Sequence, residues 1–330
     1  MEENNKSIGL LIKNWRKKVG LTQDALAKKA DIPYTTLAKL ESDVIKNPSI
    51  QTMRKIAEGL EVSLDDLIKE NNVQWWMEEY GFFGNFYLEG DNSKEGYLQA
   101  KKQNLDDRTK EEVSGVMKIL GLKGKERILD IPCGYGRHSA ALAGKGFQVT
   151  GCDINSFFLE AARKQAEISG VKVKFVKDNM IDISYTSQFD AVINMFYSFG
   201  FFETDEENFK VLKNFYNALK QKGKLLFHTD VNIPRILNKK CKEDEIRNLK
   251  SGKKLRIIDK YDPHTKRING SWIIQGGEEV KKDYSVRVYT QEEFIDLCRK
   301  VGFKKFESFG GWSKEPYSNE SEDMIIVAEK

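Results

Sequence analysis

Two periodicities divide the chain. Over residues 1–70 apolar positions recur at helical spacing, and from Arg127 onward they gather into short runs separated by helices, so a small all-α domain should precede a larger α/β domain. In the first part, Ile8 to Val19 is amphipathic, Gly20-Leu21 breaks it, and Thr22 caps a second helix from Gln23 to Lys29. Asp31-Ile32-Pro33 turns into a third helix, Tyr34 to Glu41; Asn47-Pro48-Ser49 caps a fourth, Ile50 to Leu60; and Ser63 caps a short fifth ending near Ile68. In the second part a helix from Thr109 to Leu120 precedes strands expected at Arg127 to Ile131, Phe147 to Cys152, Val171 to Val176 and Phe189 to Asn194. Helix Glu206 to Leu219 carries the stripe Phe209, Leu212, Phe215 and Leu219, and the turn Lys222-Gly223 leads into a strand at Lys224 to His228. Thr290 caps a helix from Gln291 to Val301, and a last strand runs from Met324 to Ala328. Between about 231 and 288, alternating runs at Leu255 to Tyr261, Arg267 to Ile274 and Tyr284 to Tyr289, with Gly270 and Gly276-Gly277 as turns, predict a small antiparallel sheet.

Length and composition fit two domains, 1–70 and 71–330: the chain has 330 residues, of which 40% are hydrophobic. Its 4 cysteines, Cys133, Cys152, Cys241 and Cys298, show no CxxC spacing, and its 3 histidines do not cluster with them, so neither a metal site nor a disulfide framework is expected. No apolar stretch reaches about 18 residues and no signal peptide is evident, which predicts a cytoplasmic, reduced protein without a membrane span. The net charge of +4 says little about partners.

The densest chemistry lies in residues 126–153, which read as strand, glycine turn, helix, strand and a lone acid. Gly134 and Gly136 let the backbone turn tightly before the helix Ser139 to Ala143. Asp153 ends the second strand about 20 residues past the glycines, where a carboxylate accepts hydrogen bonds from ribose hydroxyls. A dinucleotide site would have the same layout, but its fingerprint wants three glycines, and here Gly134 and Gly136 are followed by Arg137, His138 and Ser139.

The run LDIPCGYGRHSAALAGKGFQVTGCDIN resembles the first motif and acidic second strand of class I S-adenosylmethionine-dependent methyltransferases of the small-molecule type, with Pro132 where a glycine is common. The resemblance extends over roughly residues 75–330 and implies a Rossmann-like sheet with an antiparallel insertion at about 231–288 that caps the substrate. By it, Asp130, Gly134 and Gly136 would line the methionine end of the cofactor and Asp153 would bind the ribose, with Pro132, Cys133 and Ile154 also in the cofactor site. Asp178, Asn179 and Met180 would lie beside the adenine, Asn194 and Met195 would follow the fourth strand, and Arg108 would pair with the methionine carboxylate. The stretch GLTQDALAKKADIPYTTLAKLESD resembles the Cro/repressor-like (XRE-type) helix-turn-helix over about residues 6–68. That family enters the major groove with its third helix, which makes Gln23, Tyr34, Thr35, Thr36 and Lys39 the DNA-contact candidates and implies a homodimer on double-stranded DNA. Charge adds nothing to this, since residues 1–70 hold 12 Lys and Arg against 11 Asp and Glu, a net +1.

Acceptor specificity should come from segments added at the carboxyl ends of the strands. One is the aromatic stretch Val73 to Tyr87, either a lid over the pocket or a linker packed against the core; the other is the insertion. The implied chemistry is in-line methyl transfer to a nitrogen or oxygen of a small molecule, with Tyr197 and His228 as catalytic candidates and Asp230, Arg287 and Tyr289 also near the pocket by topology. DNA is disfavoured as the substrate: Asn194-Met195-Phe196-Tyr197 lacks the prolines of the amino-group DNA enzymes, and the Pro132-Cys133 pair lies in the cofactor turn. Two readings result. One is a methyltransferase fused to a DNA-binding domain; the other is a regulator that senses the cofactor or a metabolite with little turnover.

Overall fold

A computed structural model describes residues 8–46, 48–64, 67, 73–90, 104–239, 241–249 and 251–330. The chain divides into two compact units, Met1–Gln74 and Trp75–Lys330. Among the described residues the first holds the helices α1 (Ile8–Lys18), α2 (Gln23–Lys29), α3 (Tyr34–Glu41) and α4 (Ile50–Leu60). Their starts follow from capping: Thr22 accepts from the Ala25 N–H and Ser49 from the Thr52 N–H. Ile12, Leu26, Leu37, Leu40 and Ile56 are fully buried at its centre. The residues that complete the expected fifth helix, and Asn47 of the expected cap, lie outside the described residues.

The second unit is built on a seven-stranded sheet in the order β10-β11-β5-β4-β1-β2-β3. Its parallel strands are β1 (Arg127–Asp130), β2 (Gln148–Asp153), β3 (Lys174–Lys177), β4 (Phe189–Asn194) and β5 (Leu219–Thr229). The helices that follow them are α7 (Arg137–Ala143), α8 (Ser156–Ile168) and α9 (Asp205–Ala218). Before the sheet come α5 (Asn85–Gly90) and α6 (Leu105–Leu120), the latter four residues longer at its start than its apolar pattern predicts because Asn104 caps it. Beyond it come α10 (Ile233–Leu237), α11 (Gln291–Val301) and the antiparallel β10 (Lys305–Phe309) and β11 (Met324–Glu329). Strand β11 shows why such a sheet reads as a continuous apolar run: Met324, Ile326 and Ala328 enter one core cluster while Ile325 and Val327 enter the other. The expected turn at Lys222-Gly223 is a register jump inside β5, where Phe189 pairs Leu219 but Ala191 pairs Lys224.

The insertion forms its own antiparallel sheet, β6 (Asp244–Asn248), β7 (Lys254–Asp262), β8 (Arg267–Gln275) and β9 (Val280–Arg287). Strand β6 is not predicted by the alternation, and Gly270 lies in the middle of β8 rather than in a turn. The apolar side of this sheet is covered by the aromatic segment before α6. Phe82, 4% exposed, packs against Trp272 and Tyr284, and Lys282 Nζ donates to the Tyr80 carbonyl at 2.6 Å. Among the described residues no helix is long and apolar enough to cross a membrane.

Candidate active site

The sheet reverses its winding between β1 and β4, and the carboxyl ends of β1, β2 and β4 open there onto a cavity of about 490 Å³. Asp130 ends β1 and is 1% exposed; its Oδ2 accepts from Ser139 Oγ at 2.6 Å, while its Oδ1 is buried without a partner among the described residues. The chain passes a cis Ile131–Pro132 peptide into the two glycines, which do different work. Gly134 has φ +53 and a Cβ there would meet nothing within 4 Å, so the turn keeps open space beside the backbone. Gly136 has φ +80, and a Cβ there would lie 2.7 Å from Ala162 Cβ; its bareness lets α7 pack against α8.

Asp153 closes the cradle. Its two oxygens accept from the Gly134 N–H at 2.8 Å and the Asn155 N–H at 2.9 Å, which locks the glycine turn to the tip of β2. Burial pushes the Asp130 carboxyl up to about 7 and Asp153 up to about 6, against hydrogen bonds that favour their charged forms. Pro132, Cys133, Ile154, Asp178, Asn179, Met180 and Met195 line the same cavity. Asp130 and Asn194 do not: Asp130 is buried at the end of β1, and Asn194 Nδ2 donates to the Ile131 carbonyl at 2.8 Å and so ties β4 to the turn after β1.

Four more expected residues stand elsewhere. Arg108 does not line the cavity; its guanidinium is bonded to Glu112 and lies 3.5 Å from Asp323, two carboxylates that sequence reading did not connect with it. Glu112 is fully buried and also holds Arg137 and His138 Nε2. Burial opposes its ionisation, but the His138 bond and the Arg137 and Arg108 charges outweigh it and hold the carboxyl far below its usual range. Of the two arginines on Glu112, Arg137 is the one that lines the cavity, 4.5 Å over the Phe196 ring. His228 is likewise no cavity residue: it is fully buried, with Nδ1 accepting from the Phe196 N–H at 3.2 Å and Nε2 at 3.0 Å from Asp323. A neighbouring strand covers it, because Ile325 of β11 pairs directly with it. Arg287 and Tyr289 do not line it either; both are buried and bonded to Asp205.

Tyr197 does line the cavity. It follows Phe196 in a second consecutive left-handed conformation, φ +55 and +56, a strain of order 1–3 kcal/mol each that surrounding structure must hold. Its hydroxyl is buried without a partner, and burial first, then the charges of Tyr284, Asp259 and Asp230, push it well above its ordinary range. Opposite stand residues that sequence reading missed. Asp259 of β7 and Tyr284 of β9 both pair with Gly270 of β8, and the Tyr284 hydroxyl reaches across that glycine to donate to Asp259. A Cβ at Gly270 would lie 2.6 Å from Asp259 Oδ1. A glycine inside an otherwise regular strand was the available signal.

In the first unit Arg16 of α1 donates to both oxygens of Glu41 of α3, at 2.6 and 2.7 Å, and Gln23 Nε2 of α2 donates to the same carboxylate at 2.8 Å. Gln23 in turn accepts from the Tyr34 hydroxyl at 3.2 Å. Tyr34, Thr35 and Lys39 are exposed and Thr36 is half-buried on the same helix.

Residues 128–223 match the family model of a methyltransferase domain and residues 12–67 that of a helix-turn-helix. The chain joins a helix-turn-helix domain to a domain with the fold of S-adenosylmethionine-dependent methyltransferases. It is 28% identical over 223 residues, 65% of this chain and 88% of the other, to a protein of Geobacillus sp. (strain WCH70) named as a methyltransferase. It is 25% identical over 277 residues to the glycine/sarcosine N-methyltransferase of Aphanothece halophytica, covering 80% of this chain and 99% of that one. The structure of an S-adenosylmethionine-dependent methyltransferase from Clostridium acetobutylicum superposes with a TM-score of 0.57 at 16% identity, over 67% of this chain and 91% of that one.

The cradle fits that cofactor. The unpartnered Asp130 Oδ1 is an acceptor in need of a donor, and Gly134 leaves space beside the backbone. Asp153 keeps lone pairs free beyond its two backbone bonds.

Proposed function

We propose that the protein methylates a nitrogen or oxygen of a small molecule, using S-adenosylmethionine, and binds double-stranded DNA through its first unit as a cytoplasmic homodimer. The observation that carries the reading is a single cavity with Gly134 and Asp153 on one wall, next to the buried Asp130, and the antiparallel cap on the other. The cofactor would supply a methyl group on a positively charged sulfur. The bare turn at Gly134, with the unpartnered Asp130 Oδ1 buried next to it, would hold its amino-acid end, Asp153 would accept from the ribose hydroxyls, and Asp178 to Met180 would flank the base. Aromatic walls at Trp75, Phe83 and Tyr87 exclude water, which favours transfer to the bound acceptor over hydrolysis. A capped cavity suits a small acceptor better than a polymer, and relatives named for glycine and sarcosine support a nitrogen. On the DNA side, Tyr34, Thr35, Thr36 and Lys39 on α3, with Gln23 braced beneath, would meet base edges and phosphates. The test is incubation with methyl-labelled S-adenosylmethionine and a metabolite extract. Label in a low-molecular-weight product is expected, whereas no transfer together with cofactor-dependent operator binding would make the protein a sensor.

A further inference from the structure

Most of the cavity's charge lies on its cap side. Asp230, Glu243, Glu245 and Asp259 line it there, against Lys242 and Arg247. Glu245 is paired with Arg247 at 3.2 Å, which cancels one acid locally. Asp230 has no hydrogen-bond or ion-pair partner among the described residues, and Asp259 receives only the neutral Tyr284 hydroxyl. Asp259, half-buried, feels only the charge of Arg247 that Glu245 already shares, and Asp230 has no cation of the protein among the described residues, so four acids face two bases on the cap side. Such an arrangement is costly unless something charged completes it.

Two further features point the same way. The Tyr197 hydroxyl is sealed from solvent and has neither donor nor acceptor, although it lies among those carboxylates and could bond a ligand there. The surrounding walls are aromatic, with Tyr197, Tyr261, Trp272 and Tyr284 all lining the cavity, and ring faces attract organic cations. Gly270 holds the arrangement together, because only a residue without a side chain lets Tyr284 cross β8 to Asp259.

We propose that the cap half of the cavity is an ammonium site, in which Asp259 and Asp230, with Tyr197 and Tyr284, bind a small amine as the methyl acceptor. The inference rests on the methyltransferase reading and narrows its acceptor to nitrogen. A neutral alcohol would leave both carboxylates uncompensated, and a carboxylate-bearing acceptor without an amine would be repelled. The same acids solve the chemical problem of an amine, which arrives protonated. Its nitrogen has no lone pair to offer until one N–H bond breaks, with the bonding pair staying on nitrogen and the proton passing to an Asp259 or Asp230 carboxylate oxygen.

The test is calorimetry on the full chain at neutral pH, with and without saturating S-adenosylhomocysteine. The probes are tryptamine, tyramine and putrescine, each beside its N-acetylated form, with indole-3-acetate as the anionic control. At least one amine should bind about tenfold or more tighter than its neutral amide, and indole-3-acetate should give no heat. Asp259→Asn should weaken that amine about tenfold and leave the heat with S-adenosylhomocysteine unchanged. Asp230→Asn, at an exposed position, should weaken it too and serves if the first variant fails to fold. The proposal is overturned if no amine binds, if amine and amide bind equally, if the anion binds best, or if neither variant changes amine affinity. Absence of heat with S-adenosylhomocysteine would instead bring down the cofactor reading, so the two failures are separate.

Discussion

The two walls of the cavity are built by opposite means. The cofactor wall comes from one continuous stretch, Arg127–Asp153, and its working parts are a bare turn and two carboxylates fixed by local hydrogen bonds. The cap wall is assembled from side chains of β6 to β9, the residues just after β5 and the segment before α5, with contacts such as Trp75 Nε1 to the Ser285 carbonyl spanning 210 positions. A wall made of short-range backbone geometry suits a ligand common to a fold, since little in it depends on the rest of the chain. A wall made of distant side chains can change its ligand without disturbing the sheet. Variants on one wall should therefore spare the other wall's ligand.

The largest effect is expected beneath the cofactor wall. Glu112→Gln removes the one carboxylate shared by Arg108, Arg137 and His138 and leaves two guanidinium groups facing each other, costing about 3–5 kcal/mol of stability by denaturant unfolding. A loss under about 1 kcal/mol would mean the cluster is solvated in solution. Next is Asp153→Ala, which should lower affinity for S-adenosylhomocysteine about a hundredfold in calorimetry. Any comparable loss of amine affinity in the cofactor-free protein would contradict the independence of the walls.

Three glycines sharpen the contrast at smaller cost. Gly136→Ala drives a Cβ into Ala162 at a left-handed backbone position and should destabilise by about 2–3 kcal/mol. Gly134→Ala meets open space, so its melting point should fall by only a few degrees while affinity for S-adenosylhomocysteine drops. Gly270→Ala displaces Tyr284 from Asp259 and should do the reverse, weakening the amine and sparing the cofactor product. Equal effects of Gly134→Ala and Gly270→Ala on both ligands would erase the distinction.

The same division decides what could be read from the sequence. Helices α2, α3, α4 and α11 and strand β4 begin and end where caps and apolar runs place them, because each boundary is set within a few residues. The turn from Asp130 to Gly136 and the acid at Asp153 are legible for the same reason. Arg108 and His228 are not, since their partner Asp323 lies 215 and 95 positions away, and only folding shows that the arginine is already engaged and the histidine covered. Strand β6, Asp-Glu-Ile-Arg-Asn, is an edge strand with alternating polar exposure and too little apolar content to announce itself. Gly270 looked like a turn because a glycine's reason for being in a strand is the neighbour lying over it, here a tyrosine 14 positions on.

The smallest effect is one of pH, and it isolates the cofactor wall from everything else. Asp130 titrates at about 7 in the fold, above the unfolded carboxylate value of about 4. Between those values the folded state holds a proton that the unfolded state has released, so the stability of the empty protein falls as pH rises through the window. From pH 6.5 to 8 this loss is on the order of 1 kcal/mol. Asp153, at about 6, adds little because it is mostly ionised over that range. His138, lowered by burial and by Arg137 to about 4, acts mainly below about 7 and with opposite sign, since there the unfolded state takes up the proton, and it offsets part of the Asp130 loss near pH 6.5. An ammonium in the cradle removes this slope, because it prefers the ionised Asp130 and leaves no proton difference from the unfolded state. Affinity for S-adenosylhomocysteine should accordingly rise over the interval in which the empty protein weakens. Thermal unfolding at pH 6.5, 7.25 and 8, with and without S-adenosylhomocysteine, should give curves that diverge with pH, and Asp130→Asn should make them parallel. Parallel curves in the unsubstituted protein would mean that the cradle does not hold the amino group, and that the orphaned oxygen of Asp130 belongs to the fold rather than to the ligand.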